Sequence, residues 1–154
     1  MCRMITFESV NKENLYIAKE MIESNSYFYE SIDDGLRTKE NELKALASNK
    51  NSFLIKVEDT YIGLVGYEEQ PAEKNALIVL FLIHADYQGF GYGTTAYDHF
   101  EDFLVKEEYK KCSLNVSSEN NRAKQFWERN GFVAFGQTKK KNIEMTHYEK
   151  QYNC

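Results

Sequence analysis

The chain is predicted to fold as a mixed α/β domain: a sheet that is mostly antiparallel, with one parallel strand–helix–strand unit near its middle and about four flanking helices. Three observations carry this expectation. Leu77 to Ile83 is apolar at every position, the pattern of a central strand covered on both faces. It leads into a turn holding Gly89, Gly91 and Gly93, followed by Ala96, Tyr97, Phe100, Phe103 and Leu104 at helical spacing. Cys112, Leu114 and Val116 then alternate as a strand, and such a strand–helix–strand unit closes with parallel strands and a right-handed crossover.

From the amino end, residues 4–7 (MITF) read as a short first strand. Asn11 stands in the N-cap position before a helical pattern of Leu15, Ala18, Met21 and Ile22. Ser24 to Gly35 breaks the periodicity and is rich in aromatics and acids; a second helix is expected after Thr38, with Leu43, Leu46 and Ala47 on its apolar side. SFLIKVED and TYIGLVGYEE flank a turn at Glu58–Thr60 and should pair as an antiparallel hairpin, and Pro71 marks the next turn. The helix after Gly93 is expected to run to about Glu108, and the strand after it from Cys112 to Ser117. A last helix carries Ala123, Phe126 and Trp127 and stops at Asn130–Gly131. Strand patterns around Phe132–Phe135 and Ile143–Tyr148 close the chain.

With 154 residues the chain reads as one domain, 1–154, with room for a substantial core. The net charge of −5 argues against a nucleic-acid surface, and the one basic run, Lys139 to Lys141, reads as a solvated turn. No apolar segment approaches the ~20 residues that span a bilayer, so no membrane partner is expected. The N-terminal MCRMITFESV lacks the apolar core of a signal peptide. Cys2, Cys112 and Cys154 are far apart and odd in number, and His84, His99 and His147 are equally scattered. Reduced thiols in a cytoplasmic protein and no metal site are the expectation, with Cys112 in the core.

The glycine segment is an anion-binding device in outline. N–H groups in the first turn of a helix have no intrahelical acceptor, and the helix dipole adds positive charge there. Glycines before the helix let the backbone adopt positive φ and approach a phosphate with no β-carbon between. A turn that only links two elements is the plainer alternative.

Two motifs resemble those of the GCN5-related N-acetyltransferase (GNAT) superfamily. The first is QGFGYG, Gln88 to Gly93, similar to that family's acyl-CoA loop of Arg or Gln, two residues, Gly, one residue, Gly or Ala. The second is NNRAKQFWERNGF, Asn120 to Phe132, similar to a family segment of Asn, Ala, an aromatic pair and a terminal Gly-Phe. Their order and separation extend the resemblance over essentially the whole domain. It implies a GNAT-like central twisted sheet and acetyl-CoA as co-substrate. The diphosphate would lie on Gln88, Gly89, Phe90, Gly91, Tyr92, Gly93 and Thr94. The backbone of Leu82 and Ile83 would pair with the pantetheine arm, Asn120 would hydrogen-bond the cofactor from the start of the last helix, and Ala123 and Phe126 would line its thiol end. Asn120 is equally an N-cap, and Ala123, Phe126 and Trp127 are equally core residues.

The reaction implied is direct attack of an amine on the thioester, with an N–H near Ile83 stabilising the oxyanion. An alkylamine has a pKa of about 10.4 and must lose its proton first. Many relatives place a carboxylate on the strand before the loop, whereas Leu77 to Ile83 carries no ionisable group. Glu68 and Glu69, at the end of the preceding strand, are the nearest substitutes as base and equally read as solvated turn residues; His84 and Asp86, beside the loop, stand behind them. Where many relatives have a tyrosine that protonates the leaving thiolate, this chain has Trp127, whose indole cannot release its proton. Tyr92, Tyr97 or Tyr148 would substitute, or the thiolate, with a thiol pKa near 8.5, would leave without an acid. The acceptor, a small-molecule, peptide N-terminal or lysine amine, is expected at Tyr27, Tyr29, Glu30 and Trp127, where rings and carboxylates suit a cation. The protein would be a monomer or homodimer. A binding module of the same fold without turnover is the competing expectation.

Overall fold

The computed structural model describes residues 4–25, 46 and 48–152. The elements run β1 (Ile5–Ser9), α1 (Leu15–Ser24), β2 (Ser52–Val57), β3 (Thr60–Gln70), β4 (Asn75–Ile83), α2 (Tyr92–Lys106), β5 (Lys111–Ser117), α3 (Asn121–Arg129), β6 (Val133–Lys140) and β7 (Ile143–Gln151). Hydrogen bonds order the strands β1-β2-β3-β4-β5-β7-β6 in a seven-stranded sheet. β4 and β5 are parallel, while β1 with β2, β2 with β3, β5 with β7 and β6 with β7 are antiparallel. This is the mixed α/β architecture that the element order predicts. Of the second expected helix, Leu46 and Ser48 are described and both are helical.

The described residues divide into two compact units, one from Met1–Gly66 and Leu80–His99, the other from Tyr67–Val79 and Phe100–Cys154. In the first, Ala18, Met21 and Ile22 of α1 pack on Leu46, Leu54 and Leu64, with Val10, Leu15, Ile17, Tyr61, Leu80 and Leu82 around them. The helical spacing of 15, 18, 21 and 22 turns one stripe of α1 inward. Each large side chain so buried contributes about 1.5–3 kcal/mol. The helix begins three residues later than the sequence pattern indicates: its N-cap is Asn14, not Asn11. The Asn11 Oδ1 accepts from the N–H groups of Glu13 and Asn14, closing an Asx turn. Asn14 is drawn inward because its Nδ2 donates to Glu8 Oε2 and to the Ser9 carbonyl, both at 2.9 Å.

In the second unit the parallel ladder runs from Asn75↔Lys111 to Ile78↔Leu114. Asn75, buried, donates from Nδ2 to Gln70 Oε1 at 2.7 Å and to Ser113 Oγ at 2.8 Å. Tyr67 meets the rings of Phe100, Phe103 and Tyr109 edge-on. Lys150 Nζ lies 2.7 Å from Glu101 Oε1 and donates to the Asn130 carbonyl, joining α2, β7 and the end of α3. Cys112 is fully buried, as its alternation indicates, and burial pushes its thiol up to about 12.

Two further expectations are corrected. β4 is central in strand order, but Val79 is 39% exposed and Leu77, Leu80, Phe81 and Leu82 are only half-buried. The strand runs on to Ile83, beyond the last register pair of the parallel ladder at Ile78. The run at Lys139–Lys141 is not simply a turn: β6 extends through Lys140, and the turn is Lys141–Asn142, with φ of 52° and 68°. Two consecutive positive φ values suit the twist of a tight hairpin.

Candidate functional site

In the first unit β4 ends at Ile83 and a 3-10 turn, Ala85–Tyr87, leads to Gln88 and the glycine loop. Gly89 and Gly91 have φ of 87° and 83°, values an L side chain rarely adopts. A β-carbon placed on either glycine meets nothing within 4 Å among the described residues, which leave the space beside them open. α2 follows directly: its first bond runs from the Thr95 N–H to the Gly91 carbonyl at 3.2 Å, and the Thr95 hydroxyl donates to the same oxygen. Tyr92, Gly93 and Thr94 therefore form the first turn of a 15-residue helix that carries no acidic residue there. Backbone N–H groups, helix dipole and absent carboxylates fit an anionic group beside the loop. Phe90, between the two positive-φ glycines, is 72% exposed.

Gln88 turns back onto the chain. Its Nε2 donates to the Ile83 carbonyl at 2.8 Å and to Asn25 Oδ1 at 2.9 Å. Asn25 in turn donates from Nδ2 to the Ile83 carbonyl at 3.2 Å and to the Met21 carbonyl. Ser24 Oγ donates to the Met21 carbonyl and accepts from the Ala85 N–H. The carboxyl end of α1 is thus tied to the end of β4 and to the first residue of the loop. Sequence reasoning did not find Ser24 or Asn25. Their partners lie 58 to 63 residues away, and the one local signal is an amide just past a helix end.

The backbones of Leu82 and Ile83 face opposite ways. The Leu82 carbonyl points at β3, where it would lie 2.5 Å from a β-carbon at Gly63, and the His84 N–H donates to the Ile62 carbonyl at 2.8 Å. Strand alternation turns the Ile83 backbone away from β3. His84 Nδ1 accepts from the Asp86 N–H at 3.1 Å, which fixes that nitrogen as an acceptor in the 3-10 turn. Tyr92 meets the ring of Tyr87, and the buried Tyr97 meets Phe81.

The second unit holds the remaining candidates. The Asn120 side chain accepts from the Ala123 N–H at 3.1 Å, so it caps α3. Ala123 and Phe126 are half-buried, and Trp127 is buried edge-on between Phe126 and Phe132. Glu68 and Glu69 are exposed on β3, in a strand rather than a turn. Glu69 is hydrogen-bonded to the Tyr109 hydroxyl, whose pKa lies above the usual range chiefly through burial. The Tyr148 hydroxyl donates to Glu128 Oε2 at 2.7 Å; burial first, and then that bond, push it up to about 12. Tyr27, Tyr29 and Glu30 lie outside the described residues. Among the described residues, no helix is long and apolar enough to cross a membrane, and no three His, Cys, Asp or Glu side chains are grouped to hold a metal ion.

The chain matches the model of the Acetyltransferase (GNAT) family over residues 16–132. No curated protein sequence matches it. Among solved structures it is similar to an acetyl transferase of Salmonella typhimurium that modifies the N-terminal serine of ribosomal protein L7/L12, with 13% identity, a TM-score of 0.82, and 97% of this chain and 95% of that one covered. It is similar to the PaiA N-acetyltransferase of Thermoplasma acidophilum in complex with coenzyme A, with 19% identity, a TM-score of 0.73 and coverage of 97% and 99%. It is also similar to a spermidine N-acetyltransferase chimera from Vibrio cholerae and hSSAT, with 17% identity, a TM-score of 0.74 and coverage of 96% and 94%. At these identities the likeness is one of fold. The family match, in contrast, spans β4, the glycine loop, α2 and α3 in one stretch, and by it the chain belongs to the GNAT acetyltransferase family.

Proposed function

We propose that the protein is an acetyl-CoA-dependent N-acetyltransferase that acts on a primary amine by direct attack in a ternary complex. One observation carries the proposal: two positive-φ glycines beside open space at the start of α2. In this reading the N–H groups of Gln88 to Thr94 hold the diphosphate of coenzyme A, with no basic side chain in that run to assist them. Bound there, acetyl-CoA supplies the acetyl group as a thioester. Ile83, its carbonyl held by Gln88 and Asn25, has its backbone directed away from β3 and donates its N–H to an oxygen that gains charge. Asn120, Ala123 and Phe126 line the cofactor's course, with Asn120 also serving as the α3 cap. Because β4 carries no ionisable side chain, Glu68 or Glu69 of β3 takes the amine proton through water. Small amines, peptide N-termini and lysines all remain within the acceptor class; the Salmonella and Vibrio cholerae likenesses span a peptide N-terminus and a polyamine.

A second reading, an acyl-CoA-binding module without turnover, is favoured by specific observations. Trp127 is buried among rings, and the Tyr148 hydroxyl is committed to Glu128. Release of free thiol from acetyl-CoA, followed across a panel of polyamines, peptides and lysine derivatives, separates the two. Turnover with any amine supports the transferase. Tight acetyl-CoA binding with no thiol release supports the module, and no binding contradicts both.

A further inference from the structure

We propose that a cavity of about 350 Å³ on the first unit, lined by Tyr16, Glu20, Tyr61, His84, Asp86 and Tyr87, binds a small organic cation. This goes beyond acetyl transfer and does not depend on it. The volume lies at the small end of ligand sites, which run from roughly 300 Å³ upward. Ile17 and Met21 supply its apolar part, and among the described residues no Lys or Arg lines it. Three tyrosine rings come from three elements: Tyr16 from α1, Tyr61 from β3 and Tyr87 from the 3-10 turn. Tyr16 leaves α1 with 70% of its surface exposed, an apolar ring with little of it covered by the chain's own core.

Glu20 and Asp86, both carboxylates, are the acidic side chains among the described lining residues. Glu20 Oε1 lies 3.8 Å from His84 Nε2, and Asp86 Oδ2 lies 3.9 Å from His84 Nδ1, so the imidazole stands between two carboxylates. Both carboxylate side chains are exposed, at 69% and 85%, and so are accessible from solvent. Rings and carboxylates together attract a cation by its charge and by the electron-rich ring faces, and they repel an anion. The chain already shows this chemistry at the cavity's edge. The Lys56 ammonium sits 5.0 Å from the Tyr61 ring centroid and 3.7 Å from Glu8 Oε1, held by one ring and one carboxylate. Tyr16 and Tyr87 with Glu20 and Asp86 offer a ligand the same pairing. Tyr87 also packs its ring on Tyr92, the first residue of α2, so the cavity adjoins the loop without including it.

Tetramethylammonium and choline are suitable probes, because neither carries an N–H and neither can be N-acetylated. Titrated into the full chain without acetyl-CoA, they should shift the amide NMR signals of Tyr16, Glu20, Asp86 and Tyr87. Tyr16→Ala and Glu20→Gln, at exposed positions, should leave the circular dichroism unchanged and each weaken binding roughly three- to tenfold, the double variant roughly ten- to a hundredfold. The proposal is overturned if the signals do not move, if the carbon isostere of choline binds equally well, or if the double variant binds as the wild type does. A cation that binds here while acetyl-CoA does not bind at all upholds this site and contradicts the transferase reading.

Discussion

Gly63 and the pair Gly89–Gly91 lie in the same unit and lack the same β-carbon, yet for opposite reasons. At Gly63 the missing atom would sit 2.5 Å from the Leu82 carbonyl and 3.0 Å from Ile83 Cδ1, so β3 and β4 approach closely only because the position is glycine. At Gly89 and Gly91 no described residue stands within 4 Å, and what requires glycine is φ of 87° and 83°. One glycine serves packing. The other two hold a backbone shape that ends in open space, which is where a ligand belongs and a core does not. Substitutions should therefore separate stability from cofactor affinity.

The largest effect on stability is expected at Gly63. Gly63→Ala drives a β-carbon into a backbone oxygen that cannot swing aside, and roughly 3 kcal/mol should be lost, read from urea unfolding. A loss below about 1 kcal/mol would show that β3 and β4 separate easily and would remove the contrast. Gly91→Ala should cost about 1–2 kcal/mol through its positive φ alone, with the fold retained by circular dichroism. Asn120→Ala should cost about 1 kcal/mol as a lost N-cap. Asn120→Asp should restore the stability, and a coenzyme A affinity that stays low in Asn120→Asp would assign the amide a second task at the ligand.

The smallest effect is pH-dependent. Tyr148 has a pKa of about 10 when unfolded and about 12 in the fold, so the folded state holds the proton more tightly. Its contribution is fully present below the unfolded value and is lost as pH rises through the folded one. Wild-type stability should fall more steeply between those values than that of Tyr148→Phe. Parallel pH profiles would mean that neither burial nor the bond to Glu128 raises the Tyr148 hydroxyl in the fold.

How much of this the sequence carried depends on how far apart the partners lie. The element order, the β2–β3 hairpin, the α3 stop and the loop with its helix were legible, because periodicity, turn residues and glycine spacing are local signals. The N-cap of α1 was misplaced because Asn11 and Asn14 are the same residue type three positions apart, and a contact from Glu8 decides between them. The extent of β6 was hidden because GQTKK has no apolar alternation; its pairing with β7 sets it. The amide cluster of Asn25, Gln88 and Ile83 had no local signal at all. Backbone-built sites leave a trace in the sequence, whereas side chains that meet across sixty residues do not.

The central claim is that the open side of Gly89 and Gly91 receives coenzyme A, and calorimetric titration of acetyl-CoA into wild type and Gly91→Val tests it most directly. The wild type should bind, and the variant, folded by circular dichroism, should lose about a hundredfold or more in affinity, because a branched side chain fills the space that the diphosphate needs. Equal affinity in the two proteins would contradict the account.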